Sequence, residues 1–388
     1  MSTLARTTEV LARLIGYPTV SRDSNLALIE WVDDTLQAIG ARTEITMNAE
    51  ETKANLFATI GPEVDGGVVL SGHTDVVPIE GQAWSSDPFE MDARDGRLYG
   101  RGACDMKGFI ACALAMAPQF AAADLTRPLH FAFTYDEETG CLGAPVMLAR
   151  LAETGLRPSV CIVGEPTEMR IIEGHKGCHE YTTRFRGLEG HGSKPDAGVN
   201  AVEYAVRYVS ELMATAEALK DRAPVDSPFD PPWTTVSTGG LRGGIAHNVI
   251  PNAAEVDWEY RPVNSADAAY VKDRVWAYAN DTLLPAMRAV DPDASIETEV
   301  IGEVSGLEPL SESDAVKLVT ELTGSNATGT VPFGTEAGLF QELGIHTVVC
   351  GPGSIDQAHK PDEFVSLDQL SQCLGMIERL LPRLARPD

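Results

Sequence analysis

The sequence has no C-x-x-C pair, and its seven cysteines are an odd number. Both facts argue against a disulfide framework or a thiolate zinc site and for reduced thiols used as small core residues. No apolar stretch is long enough to span a bilayer. The longest, FIACALAMA, stops at Pro118, well short of the roughly 20 residues a spanning helix needs. Positive charge is scarce: Lys and Arg number 30 against 57 Asp and Glu, for a formal net charge of -27. A surface of that sign repels phosphate backbones and anionic membranes, so neither nucleic acid nor a membrane is an expected partner. Its plain consequence is solubility, and an attraction for cationic small molecules is the sharper one. Internal repeats, low-complexity tracts and long flexible linkers are missing too. The opening MSTLARTTEVLARLIGYPTV sets Leu4, Leu11, Leu14 and Ile15 at helical spacing among charged residues. A signal peptide would need an unbroken apolar stretch there, so a cytoplasmic protein is expected.

What the sequence does have is core. Of 388 residues, 44% are hydrophobic, and a chain of this length divides into two or three structural units. Apolar runs in GGVVLSGHTD, PLHFAFTYDEE and PSVCIVGEPT alternate with helical stretches over 106–123 and 143–153. That rhythm predicts an α/β fold in which a mixed, mostly parallel sheet is flanked by helices. From Cys178 the pattern changes. HEYTTRFRG and HNVIPNAAEVDWEYRP alternate as half-exposed strands do, NAVEYAVRYVSELMATAEAL is a long amphipathic helix, and DAAYVKDRVWAYANDTLLPAM and SIETEVIG add a helix and a strand. A smaller α+β domain at 179–306 is therefore expected, inserted between two parts of the larger domain at 1–178 and 307–388.

Five polar stations stand near the ends of apolar strands in the larger domain: His73 with Asp75 in GHTD, Asp105 in RGACDMKG, Glu137 with Glu138 in FTYDEETG, Glu165 in VGEPT, and His359 in QAHKPDE. Open α/β sheets bind ligands beyond the carboxyl ends of their strands. Two imidazoles with several carboxylates and no required thiolate form a set that suits zinc, cobalt or manganese. One such station is weak evidence, whereas five together point to a metal site. Cys104 and Cys141 lie close by, but neither has the partner base that a thiol nucleophile requires. In an extended strand adjacent side chains face opposite ways, so Glu137 and Glu138 are expected to have different tasks.

SGHTDVVP, YGRGACDMKG, YDEETG, GEPT and GHGSKPDAGVNA, in that order, resemble the landmarks of the dinuclear-zinc deacylases and aminopeptidases. That family includes acetylornithine deacetylase, succinyl-diaminopimelate desuccinylase, aminoacylase and carboxypeptidase G. The resemblance spans essentially the whole chain, and PFGTEAGLFQELGIHTVVCGPGSIDQAHKPDEFV is most similar to the acetylornithine deacetylase branch. It implies two zinc ions per chain, with Co2+ or Mn2+ as substitutes. Asp105 would bridge them, His73 and Glu165 would complete one site, and Glu138 and His359 the other. Glu137 is left as the general base that takes a proton from a metal-bound water and returns it to the departing amine.

Asp75 matches the acidic residue that accepts the free ring N–H of the histidine ligand, and the peptide after Asp105 would be cis. His191 in GHGSKP matches a histidine that reaches the neighbouring subunit's site to stabilise the oxyanion, which implies a homodimer formed through the inserted lid domain. Asn248 and Arg261 resemble binders of the substrate carboxylate. Glu336 in GTEAGLFQ is expected to contact the substrate's distal ammonium. Asp136 matches no role and reads as a turn or surface carboxylate. The activity implied is hydrolysis of N2-acetyl-L-ornithine to L-ornithine and acetate in arginine biosynthesis. The alternatives are deacylation of N-acetylcitrulline or succinyl-diaminopimelate, and a non-catalytic binder of amino-acid derivatives.

Overall fold

The computed structural model describes residues 2–385. The chain forms two compact units, one of residues up to 174 with 309–330 and from 335 onward, the other of 175–308 with 331–334. The second unit begins and ends a few residues outside 179–306, because its two crossing segments pair: the His175 N–H donates to Leu307 O at 3.1 Å.

In the larger unit one mixed sheet has eight strands in the order Arg42–Met47, Ala54–Ile60, Leu129–Thr134, Val68–His73, Val160–Pro166, His346–Gly351, Ile171–His175, Thr328–Val331. Its four central strands, from Leu129–Thr134 to His346–Gly351, are parallel to one another. Arg42–Met47, Ala54–Ile60 and Ile171–His175 join antiparallel outside them. Every residue of Val68–His73, Leu129–Thr134 and Val160–Pro166 is buried, as continuous apolar runs covered on both faces require. Leu70, Phe131 and Ile162 join the core with helices Thr3–Ile15, Lys107–Ala121 and Leu367–Leu384. Ser71 and His73 alternate to the opposite face.

FIACALAMA lies inside Lys107–Ala121, which is buried almost all round. This central helix packs against Thr3–Ile15, Leu367–Leu384 and the sheet. No helix among the described residues is long and apolar enough to cross a membrane. Gly164 lets the helix approach the strand that carries Glu165, since a Cβ there would overlap the Phe109 ring.

In the smaller unit four antiparallel strands run in the order Thr235–Gly243, Ala253–Arg261, Cys178–Arg186, Ser295–Val304. Helices Ala201–Lys220 and Ser265–Ala277 bury Tyr208, Leu212, Val271 and Val275 against Tyr181, Phe185, Trp258 and Tyr260 of that sheet. The Tyr181 and Trp258 rings stack at 4.7 Å. Ser265–Ala277 passes through a wider π turn at Tyr278–Leu283 before the short helix Leu284–Arg288. The edge strand Thr235–Gly243 has no counterpart among the sequence expectations. All seven cysteines are free thiols, six of them buried and Cys178 half-buried.

Candidate metal centre

Three of the four parallel strands end in, or run directly into, the polar stations. His73 closes its strand, Glu165 sits one residue before the end of Val160–Pro166, and Glu137 and Glu138 follow Thr134 after a short turn. His359 lies in the loop after His346–Gly351, and Asp105 stands just before helix Lys107–Ala121. The Asp105–Met106 peptide is cis. These residues converge within the larger unit. His73 Nε2 is 3.0 Å from Asp105 Oδ1 and 3.7 Å from Glu165 Oε1. His359 Nε2 is 3.4 Å from Asp105 Oδ2 and 2.9 Å from Glu138 Oε2. Asp105 thus presents one oxygen to each histidine, and the cluster has two halves that share it. Ligand atoms of His73, Asp105 and Glu138, and likewise of His73, Glu137 and Glu165, lie within 4.8 Å of one another.

The cluster is short of positive charge. Burial opposes protonation of His73, but hydrogen bonds to Asp105 and Asp75 and the charges of Glu165 and Glu137 outweigh it and hold the ring well above the ordinary histidine value. Hydrogen bonds to Asp105 and Glu138 raise His359 to about 10. Burial pushes the Glu137 and Glu165 carboxyls well up, and Glu138 to about 7, with neighbouring carboxylates adding to the effect. Buried carboxylates in this density call for cations.

Two details fit a metal. The His73 Nδ1–H donates to Asp75 O at 2.9 Å, so the neutral ring that a cation would require presents its Nε2 lone pair to the carboxylate side. Glu165 Oε1 is buried with no hydrogen-bond partner among the described residues, as an oxygen meant for a cation would be.

Asp75 differs from expectation in detail. Its main-chain oxygen accepts the His73 ring proton, while the carboxylate stands 3.6 Å from Nδ1. The carboxylate accepts instead from Ser21 Oγ at 2.7 Å and from the N–H groups of Glu137 and Glu138 at 3.1 and 3.4 Å. Asp75 therefore orients the histidine and the two glutamates together. Asp136 is not a surface carboxylate: it is buried, and both its oxygens lie 2.6 Å from Lys53 Nζ.

Glu336 does not reach a substrate. It is 1% exposed, and its oxygens accept from Ser71 Oγ at 2.5 Å and Thr134 Oγ1 at 2.8 Å. The expected contact with a distal ammonium is thereby corrected, because the residue opens helix Ala337–Glu342 and turns into the sheet. Burial pushes the Cys104 and Cys141 thiols well up, which disqualifies both as nucleophiles.

His191, Asn248 and Arg261 belong to the smaller unit. The first two are neighbours there, since Gly192 N–H donates to Asn248 O at 2.7 Å. The Ser193 N–H donates to His191 Nδ1 at 3.2 Å, so the neutral ring carries its proton on Nε2. Arg261 is half-buried and donates through Nε and Nη2 to Glu259, at 3.2 and 3.1 Å. Lys53, Arg101 and Glu363 were missed in the sequence. No local pattern announces them, because their partners lie far along the chain.

Residues 69–383 match the family described as peptidase family M20/M25/M40. The chain is 34% identical to the acetylornithine deacetylase of Pasteurella multocida (strain Pm70) over 380 residues, 96% of each chain. It is 36% identical to that of Myxococcus xanthus over 383 residues, 97% of each. Its fold is that of an M20 family metallo-carboxypeptidase from Sulfolobus solfataricus, with a TM-score of 0.72 at 16% identity over 98% of this chain and 99% of the other. A dinuclear metal binding peptidase of the M20 family from Bacillus subtilis superposes with a TM-score of 0.64 at 18% identity over 98% of both chains. Two histidines and three carboxylates gathered at the strand ends of such a fold, with relatives of this similarity along its full length, have one meaning: the chain belongs to peptidase family M20/M25/M40 and is a metal-dependent amidohydrolase.

Proposed function

We propose that this protein hydrolyses N2-acetyl-L-ornithine to L-ornithine and acetate, a step of arginine biosynthesis, using two zinc ions per chain that cobalt or manganese can replace. The carrying observation is Asp105, one oxygen toward each histidine, and the acetylornithine deacetylase relatives favour the substrate. His73 and Glu165 would hold one ion, Glu138 and His359 the other, and Asp105 both. Ions held there would polarise the amide carbonyl and lower the pKa of a water toward roughly 7.

Glu137 takes the proton of the attacking water and delivers it to the departing amine. Burial raises its proton affinity, which suits a group that must hold a proton and give it back. His191, with its proton on Nε2, donates to the oxyanion. Asn248 and Arg261 hold the substrate carboxylate, Arg261 with the donors Glu259 leaves free.

The smaller unit serves as lid and homodimer contact. Its edge strand Thr235–Gly243 has mostly exposed residues, and a second copy can extend such a ladder. A monomeric mass by light scattering at working concentration would contradict this. A cytoplasmic location goes with the same reading.

The activity is tested by steady-state kinetics of the zinc-loaded protein on N-acetylornithine, N-acetylcitrulline, N-acetylmethionine and succinyl-diaminopimelate. N-acetylornithine should give the highest kcat/KM of the four. Faster turnover of another compound overturns the substrate and leaves amide hydrolysis standing.

A further inference from the structure

Asp105 and His359 come from separate loops, yet their separation decides whether one cation can meet both. The loops are cross-tied by residues outside the cluster. Glu363 is 1% exposed. One of its oxygens accepts from the N–H groups of Cys104 at 2.9 Å and Asp105 at 3.0 Å, and the other from Gly102 N–H at 3.1 Å and Arg101 Nη1 at 2.7 Å. It thus grips the backbone that delivers Asp105.

Arg101, also buried, turns toward the other loop. Nη1 donates to Lys360 O at 3.3 Å, and Nη2 to Gln82 Oε1 at 2.5 Å. Gln82 Nε2 donates to His359 O at 2.9 Å. The Trp84 ring lies 5.0 Å from the Arg101 guanidinium, and its Nε1–H donates to the same Gln82 oxygen at 3.1 Å. His359 itself has φ 61°, a left-handed conformation that a non-glycine residue keeps only when its surroundings impose it.

We propose that Gln82, Arg101 and Glu363 are positioning residues that set the spacing of Asp105 and His359, and through it the affinity of the half-site formed by Glu138 and His359. They act through backbone groups and touch no ligating atom in the structure. The proposal rests on the metal reading above.

The test titrates metal-free protein with zinc alone by calorimetry, for the wild type, Gln82→Ala, Glu363→Gln, His73→Ala and His359→Ala. The wild type should bind two ions. Gln82→Ala should bind one of them about tenfold more weakly, and Glu363→Gln 10- to 100-fold more weakly, the range found when partners that orient metal ligands are removed. The location follows from double variants. Gln82→Ala should still weaken the ion that remains in His73→Ala and should change nothing in His359→Ala.

General loosening of the fold would act in both backgrounds, so an equal effect in both overturns the proposal. Wild-type affinity for both ions in Gln82→Ala overturns it as well. A wild type that binds no zinc removes the metal reading and this inference with it, so the first titration separates the two failures. If Glu363→Gln fails to fold, Gln82→Ala decides, because that side chain is half-exposed.

Discussion

Glu137 and Glu138 are adjacent in sequence but differ in surroundings. Glu138 Oε2 is 2.9 Å from His359 Nε2, whereas Glu137 Oε1 is near the Cys141 thiol, 3.7 Å away, on the His73 and Glu165 side of the cluster. Proximity alone would let Glu137 ligate there too. The assignment of base and ligand is therefore decided by metal content together with rate. Glu137→Gln should lower kcat by at least about 10²-fold, the lower range for loss of a general base, and keep both ions through gel filtration. Glu138→Ala should lose one ion, since removing a ligand weakens the site itself. Equal metal loss in the two variants would reverse the roles.

The element that places these glutamates is the turn after Leu129–Thr134, and it is not extended as the sequence suggested. Asp136 has φ 55°, a left-handed conformation that aspartate tolerates better than most residues. The N–H groups of Gly140 and Cys141 fold back onto Glu137 O at 3.1 and 3.0 Å. The two glutamates diverge because the chain turns, not because a strand alternates. Lys53 pins the turn through Asp136 and Ser21 O. Burial raises the Asp136 pKa even with Lys53 present, so the carboxylate depends on its partner.

Lys53→Met should then cost about 3 kcal/mol of stability, the scale for stranding a buried charge. Lys53→Met with Asp136→Asn should recover part of it, as urea unfolding of the metal-free protein would measure. A double variant no more stable than Lys53→Met would show that no charge had been stranded.

The stations at strand ends were legible because apolar runs stop abruptly at His73 and Glu165. The helices Ala201–Lys220 and Leu367–Leu384 were legible because their burial is periodic. Thr235–Gly243 was not, since TVSTGGLRG lacks alternation and its register breaks between Thr238 and Gly240. Its strand character comes from pairing with Ala253–Arg261. Side-chain direction was equally hidden, and Glu336 was misread for that reason.

At the scale of the whole molecule, acid acts through opposing groups. Lowering the pH relieves the repulsion of a chain with formal charge -27, and buried carboxyls such as Glu336, whose pKa burial raises, take up protons more readily folded than unfolded. Buried histidines oppose both. His130 in Leu129–Thr134, and His175 and His179 in the smaller unit, are each lowered to about 4, chiefly by burial. An unfolded histidine titrates near 6.5. Between about pH 6.5 and 4 the unfolded chain therefore binds more protons at these positions, and their contribution to stability is lost as the pH falls through that window.

His130 isolates the effect, because its ring nitrogens meet Thr59 Oγ1 and Gly66 O and none of the clustered carboxylates. Its ring stacks on Phe57 at 5.3 Å, and Nδ1 meets Thr59 Oγ1 at 2.9 Å. Phenylalanine can keep the stacking and cannot titrate. Between pH 7 and pH 5 the His130 share amounts to about 2 kcal/mol. His130→Phe, less stable or not at pH 7, should lose about that much less than the wild type on going to pH 5. Urea unfolding of both proteins at the two pH values measures the difference, and parallel losses would mean that His130 is not held neutral by burial.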